Sequence, residues 1–120
     1  MPTILLVEDD RYIRESLDEF LTEEGFDVVP SSNGLDAYTR LVAGMKPQLI
    51  LLDLMMPLMD GFQFREKQMV TDDLADIPVV VMSAYGDLEK NKEKLGVEAY
   101  LKKPLDIEEV LSTIHRWCHA

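Results

Sequence analysis

Five short runs of apolar residues punctuate the chain at residues 3–7, 26–29, 49–52, 77–82 and 99–101, and segments with helical spacing fill the intervals between them. This alternation is the strongest constraint on the fold. A run with no polar face must be buried on both sides, as the central strands of a parallel sheet are. Strands that alternate with helices give a parallel sheet covered on both faces and joined by right-handed crossovers. Ile13, Leu17, Phe20 and Leu21 form the stripe of a first helix that stops at Gly25. Ser31-Ser32-Asn33-Gly34 supplies turn and cap residues for a second, with Ala37, Tyr38, Leu41 and Val42. Phe62, Phe64, Met69 and Val70 mark a less regular third helix. The last is the clearest, with Ile107, Val110, Leu111, Ile114 and Trp117 on one stripe and Asp106 and Glu109 spaced as a capping box. Residues 86–95 are charged nearly all round, with only Leu88 and Leu95 to bury, which predicts a short or mobile fourth helix. Pro30 directly follows the second run, and a proline cannot donate to a ladder, so that strand is expected at an edge.

With 120 residues, 47% of them apolar, the chain fits one domain around one core. A net charge of -11, from 12 basic against 23 acidic residues, would repel nucleic-acid phosphates. Lys90, Lys92, Lys94, Lys102 and Lys103 cluster locally, and the lysines of the segment after Gly86 read as a solvated face rather than an anion site. One cysteine, Cys118, allows no internal disulfide and suits a reducing cytoplasm. No apolar run approaches the ~18 residues of a membrane span. The expectation is a soluble, cytoplasmic protein without a nucleic-acid or membrane partner.

In open α/β sheets, ligands bind outside the carboxyl ends of the strands, so those ends carry the functional reading. The residues there are Glu8 and Asp9, Asp53, Ser83 and Lys103. Taken alone, Asp53 reads equally well as a turn cap. A cap does not account for three acids, a hydroxyl and an ammonium at one rim. Clustered carboxylates call for a hard cation with oxygen ligands, and Mg²⁺ is the first candidate. Lysine and serine suit phosphate oxygens. Together they suggest phosphoryl transfer onto a carboxylate, with Asp53, alone on the central strand, as nucleophile and the adjacent Glu8 and Asp9 as metal-binding residues.

The motifs Val7-Glu8-Asp9-Asp10, residues 53–61 (DLMMPLMDG), Ser83-Ala84 and Tyr100-Leu101-Lys102-Lys103-Pro104 resemble, in order and spacing, the receiver domain of two-component response regulators over essentially the whole chain. The resemblance implies a doubly wound, flavodoxin-like five-stranded parallel sheet of order 2-1-3-4-5 with five flanking helices. It implies a single-domain, chemotaxis-type receiver over residues 1–120 with no effector domain in this chain. It further implies that Asp53 accepts a phosphoryl group from a histidine kinase or histidine phosphotransfer protein. Asp9 and Asp53 would bind Mg²⁺ beside the Met55 backbone carbonyl, with Glu8 completing the acidic pair. Ser83 and Lys103 would contact phosphoryl oxygens, Tyr100 would be an aromatic switch coupled to Ser83, and the Lys103-Pro104 bond would be cis.

Glu8 and Ser83 stand where aspartate and threonine are common in that family, with the chemistry retained. The segment 83–96 departs more, being about two residues shorter and lacking apolar periodicity, which leaves family expectations of dimerisation open; a monomer or weak dimer is expected. Met55 and Tyr85, each two residues beyond Asp53 and Ser83, are bulky and non-basic, and are expected to shield an acyl phosphate from water. His115 and His119 suit the end of the last helix rather than a metal, Trp117 reads as a packing anchor, and Met55, Met56 and Met59 as fillers of core and rim. Two other functions compete. A binding module of the same fold would not be phosphorylated. A phosphohydrolase would carry a second aspartate where Met55 stands. No Walker-type loop is present for a nucleotide triphosphatase.

Overall fold

Thr3–Val7 (β1), Arg11–Glu23 (α1), Asp27–Ser31 (β2), Gly34–Val42 (α2), Leu49–Asp53 (β3), Gly61–Met69 (α3), Val79–Ser83 (β4), Ala99–Lys102 (β5) and Ile107–Trp117 (α4) follow one another in the computed structural model. It describes residues 2–54, 56, 58–83 and 96–118. The five strands form one parallel sheet in the order β2-β1-β3-β4-β5. Among the described residues four helices flank it; the helix expected over 86–95 lies outside them, as do Met55, Tyr85 and His119.

Side-chain alternation builds two cores from one sheet. Ile4 and Leu6, Leu49 and Leu51, and Val80 and Met82 face Leu17 and Leu21 of α1 and Val110 and Ile114 of α4. Leu5 and Val7, Ile50 and Leu52, and Val79 and Val81 face Ala37 and Leu41 of α2 and Phe64 of α3. Every residue of β3 and β4 is buried, which is why their sequences carry no polar alternation. Full burial of each such side chain contributes about 1.5–3 kcal/mol. Each helix begins at a side-chain cap: Asp10 accepts from Ile13 N, Asn33 from Asp36 N, Asp60 from Gln63 N, and Asp106 from Glu108 N and Glu109 N.

Three sequence expectations are amended. β2 runs on through Pro30 to Ser31. Ser31 turns its carbonyl to Glu8 N at 3.0 Å, so Pro30, next along the strand, faces outward, where an edge strand needs no donor. In α3 the inward face is Phe64, Arg65 and Gln68, whereas Met69 and Val70 point to solvent with 51% and 79% of their surface exposed. Ile107 on α4 is likewise exposed, while Leu111 and Trp117 pack at the margin of the core. The packing reading of Trp117 holds, and His115 lies with its ring 5.6 Å from that of Phe26. Cys118 is a free, buried thiol whose pKa burial pushes up.

Candidate functional site

The register sets the strand ends level: Val7 pairs with Leu52, Asp53 with Met82, and Ser83 with Lys102. One residue past β1 and at the ends of β3 and β4, Glu8, Asp53 and Ser83 are 0%, 3% and 1% exposed. Asp9 is exposed beside them. Lys103 N donates to Ser83 O at 2.8 Å, which closes β5 onto the end of β4 just before the cis Lys103-Pro104 bond. The Lys103 ammonium then lies 2.8 Å from Glu8 Oε1 and 3.3 Å from Asp53 Oδ1.

One ammonium does not offset this much buried negative charge. Burial first, then the Glu8 carboxylate within hydrogen-bond reach, push the Asp53 pKa from 3.8 up to about 8, against the pull of Lys103. Burial alone would lower the Lys103 pKa, but contact with Glu8 and the charges of Asp53 and Glu8 raise it. Carboxylate oxygens of Glu8, Asp9 and Asp53 all lie within 4.8 Å of one another. Glu8 Oε1, though near the ammonium, is fully buried and lacks a hydrogen bond of good geometry. Three hard oxygen donors, one of them solvent-facing, with spare buried acceptor capacity and a carboxyl that cannot ionise at its ordinary pKa, fit a divalent cation that keeps part of its water shell.

Arg14 was not singled out in the sequence. Its Nη1 donates to the carbonyls of Glu8 at 2.8 Å and Asp9 at 3.2 Å, holding the loop that presents both acids. The available signal is its position on the first turns of α1, one helical step behind the Asp10 cap. The loop after Asp53 is held as tightly. Gly61 N donates to Leu54 O at 2.8 Å and Gly34 N to Met59 O at 3.1 Å. Met59 is buried in the core, Met56 packs against it, and Leu58 turns outward at φ 67°. A Cβ on Gly61 would stand 2.7 Å from Leu54 Cα and 2.9 Å from Asp53 O, both backbone atoms that cannot yield cheaply. Gly61→Ala is therefore expected to cost about 2–4 kcal/mol in urea unfolding; a loss under about 0.5 kcal/mol would show that the loop relaxes freely.

Tyr100 lies in β5 opposite Val81, half-buried on the α2/α3 side of the sheet. Glu8, Asp9, Asp53 and Lys103 are thus brought together, Ser83 ends the neighbouring strand, and Met55 and Tyr85 lie outside the described residues.

Residues 4–115 match the response regulator receiver domain. The chain belongs to that family. Receiver domains are signalling switches of two-component systems. The chain is 39% identical over 114 residues to the probable transcriptional regulator ycf29 of Porphyra purpurea, covering 92% of this chain and 54% of that protein. It is 35% identical over 116 residues to sporulation initiation phosphotransferase F of Bacillus subtilis, covering 95% and 91% respectively. It therefore spans about half of the first relative and nearly all of the second. Among solved structures, the signal receiver domain of a signal transduction histidine kinase from Syntrophus aciditrophicus superposes with a TM-score of 0.90 at 28% identity, over 98% of this chain and 90% of that one. No helix of the described residues is long and apolar enough to cross a membrane.

Proposed function

We propose that this receiver is a phosphorylation-operated switch whose phosphoryl acceptor is Asp53. The observation that carries the reading is the approach of Glu8, Asp9 and Asp53 within 4.8 Å with the Lys103 ammonium bridging two of them. Glu8, Asp9, Asp53 and the Met55 carbonyl would hold Mg²⁺, which when bound neutralises charge on the phosphoryl oxygens. An Asp53 carboxylate oxygen attacks phosphorus in line, the bond from phosphorus to the donor's histidine nitrogen breaks, and the imidazole leaves with the electron pair. Lys103 and Ser83 bind the remaining phosphoryl oxygens, and Tyr100 responds as Ser83 is drawn toward them. The donor is a histidine kinase or a histidine phosphotransfer protein. An apolar groove of about 300 Å³, lined by Tyr12, Ile13, Leu17, Pro104, Leu105 and Ile107, opens beside Lys103 and suits the helix that would carry such a histidine. Residues 1–120 act as one receiver domain, a cytoplasmic monomer or weak dimer whose phosphorylation changes its affinity for a partner protein.

Time-resolved mass spectrometry with Mg²⁺ and acetyl phosphate tests this. A one-phosphate adduct that accumulates supports the switch, steady phosphate release without an adduct indicates a phosphohydrolase, and neither indicates a binding module. Met55 and Tyr85 shield the adduct. Met55→Asn and Tyr85→Glu are each expected to shorten its half-life severalfold, to about a tenth if water gains a general base; unchanged decay in both would contradict shielding.

A further inference from the structure

We infer that Arg65 is a positioning residue for the strand that carries Tyr100, its guanidinium tethering the Gly96 carbonyl to α3. The switching part of this inference rests on the phosphorylation reading above; the tether itself does not. The inward face of α3 contains a charged side chain where an apolar one would pack without cost. Arg65 is 7% exposed and Gln68 is 0% exposed. Arg65 donates from Nη1 to Gln68 Oε1 and from Nη2 to Gly96 O, both at 2.7 Å. Gln68 Nε2 donates onward to Leu74 O at 2.9 Å and Ile77 O at 3.1 Å. One network thus fastens the approach to β4 and the approach to β5 to the same helix.

Burying a guanidinium is costly unless its donors are met, so this network is either complete or strongly unfavourable. The fork geometry adds direction, since a planar guanidinium fixes both acceptors at once. Beyond Gly96, Glu98 N donates to Val79 O at 3.1 Å, and Tyr100 follows two residues later in β5, on the α2/α3 side of the sheet. Burial pushes the Arg65 pKa down, and the Glu98 carboxylate beside the guanidinium works against that shift. At its other end α3 begins at Gly61, whose N–H is bonded to Leu54 O, next to Asp53. The helix therefore links the loop after the acceptor to the backbone that leads into Tyr100.

The test compares wild type with Arg65→Met, which keeps an unbranched apolar side chain and removes the fork. Amide hydrogen exchange is measured along the chain, and the Tyr100 ring signals are followed by NMR with and without Mg²⁺ and beryllofluoride as a phosphoryl mimic. In Arg65→Met, exchange across residues 97–101 is expected to rise about tenfold or more while amides of β1 and β3 stay within about twofold, because a local tether sets local opening. The Tyr100 response to beryllofluoride is expected to shrink or to be present before it is added. Unchanged exchange at 97–101, or a uniform rise throughout the fold, would overturn the inference. Should Arg65→Met not fold, Arg65→Lys, which keeps the charge without the fork, is read by the same pattern. A wild type that does not bind beryllofluoride would sink the phosphorylation reading, and the exchange pattern would still decide the tether.

Discussion

In EDTA, Asp53→Asn is expected to be more stable than the wild type at pH 8.5, by about 2–4 kcal/mol in urea unfolding, and nearly equal to it at about pH 4. The folded-state pKa of Asp53 is raised from 3.8 to about 8. Between those values the native state holds a proton that the unfolded state has released. Stability from this carboxyl is therefore fully present below about pH 4 and is lost as pH rises through about 8. Asparagine holds no such proton, so the gap between variant and wild type opens across that window and levels off above it. Comparing the two proteins cancels the titration of groups away from the rim, leaving Asp53 together with the Glu8 and Lys103 groups it touches. Millimolar Mg²⁺ is expected to narrow the gap by stabilising only the wild type. Parallel pH profiles would mean that Asp53 is not desolvated as the structure has it.

Lys103→Met should separate the two roles of the rim more sharply still. The ammonium is 2.8 Å from Glu8 and 3.3 Å from Asp53, and the Glu8 side chain is fully buried. Removing one partner from such a cluster leaves buried charge unpaired, at a cost of about 3 kcal/mol at pH 8 without metal. The same loss takes a positive charge from beside the proposed cation, so Mg²⁺ affinity measured by calorimetry is expected to rise by about fivefold, on the order of 1 kcal/mol of relieved repulsion. Phosphorylation by acetyl phosphate, in contrast, is expected to slow by about 10²-fold, since a donor aimed at the phosphoryl oxygens is lost. Tighter Mg²⁺ with slower phosphorylation is the signature of this geometry. Weaker Mg²⁺ binding with an unchanged rate would place the lysine outside the reacting centre.

Much of this architecture is legible in the chain because its strongest signals are local. Runs such as Leu49-Ile50-Leu51-Leu52 have no polar face, so double burial follows from composition alone, and Asp10, Asn33, Asp60 and Asp106 announce their helices by position. The rim could be assembled for the same reason, since strand ends in a parallel sheet all arrive on one side. The inward face of α3 could not be read, because apolar spacing points to Met69 and Val70, which are exposed. What buries Arg65 and Gln68 is a set of carbonyls at Leu74, Ile77 and Gly96, supplied by distant backbone with no signature in the local sequence. Arg14 escaped notice likewise, since it binds carbonyls and not side chains. The continuation of β2 through Pro30 depended on which way Ser31 faces, which only the pairing with Glu8 decides.

The central claim is that the carboxylate at the end of β3 receives the phosphoryl group. Its most direct measurement is the location of the adduct by peptide mass mapping after exposure to acetyl phosphate and Mg²⁺. One phosphate on the peptide containing Asp53, absent in Asp53→Asn and absent with EDTA, is the predicted result. An adduct elsewhere, or one that persists in Asp53→Asn, would contradict it.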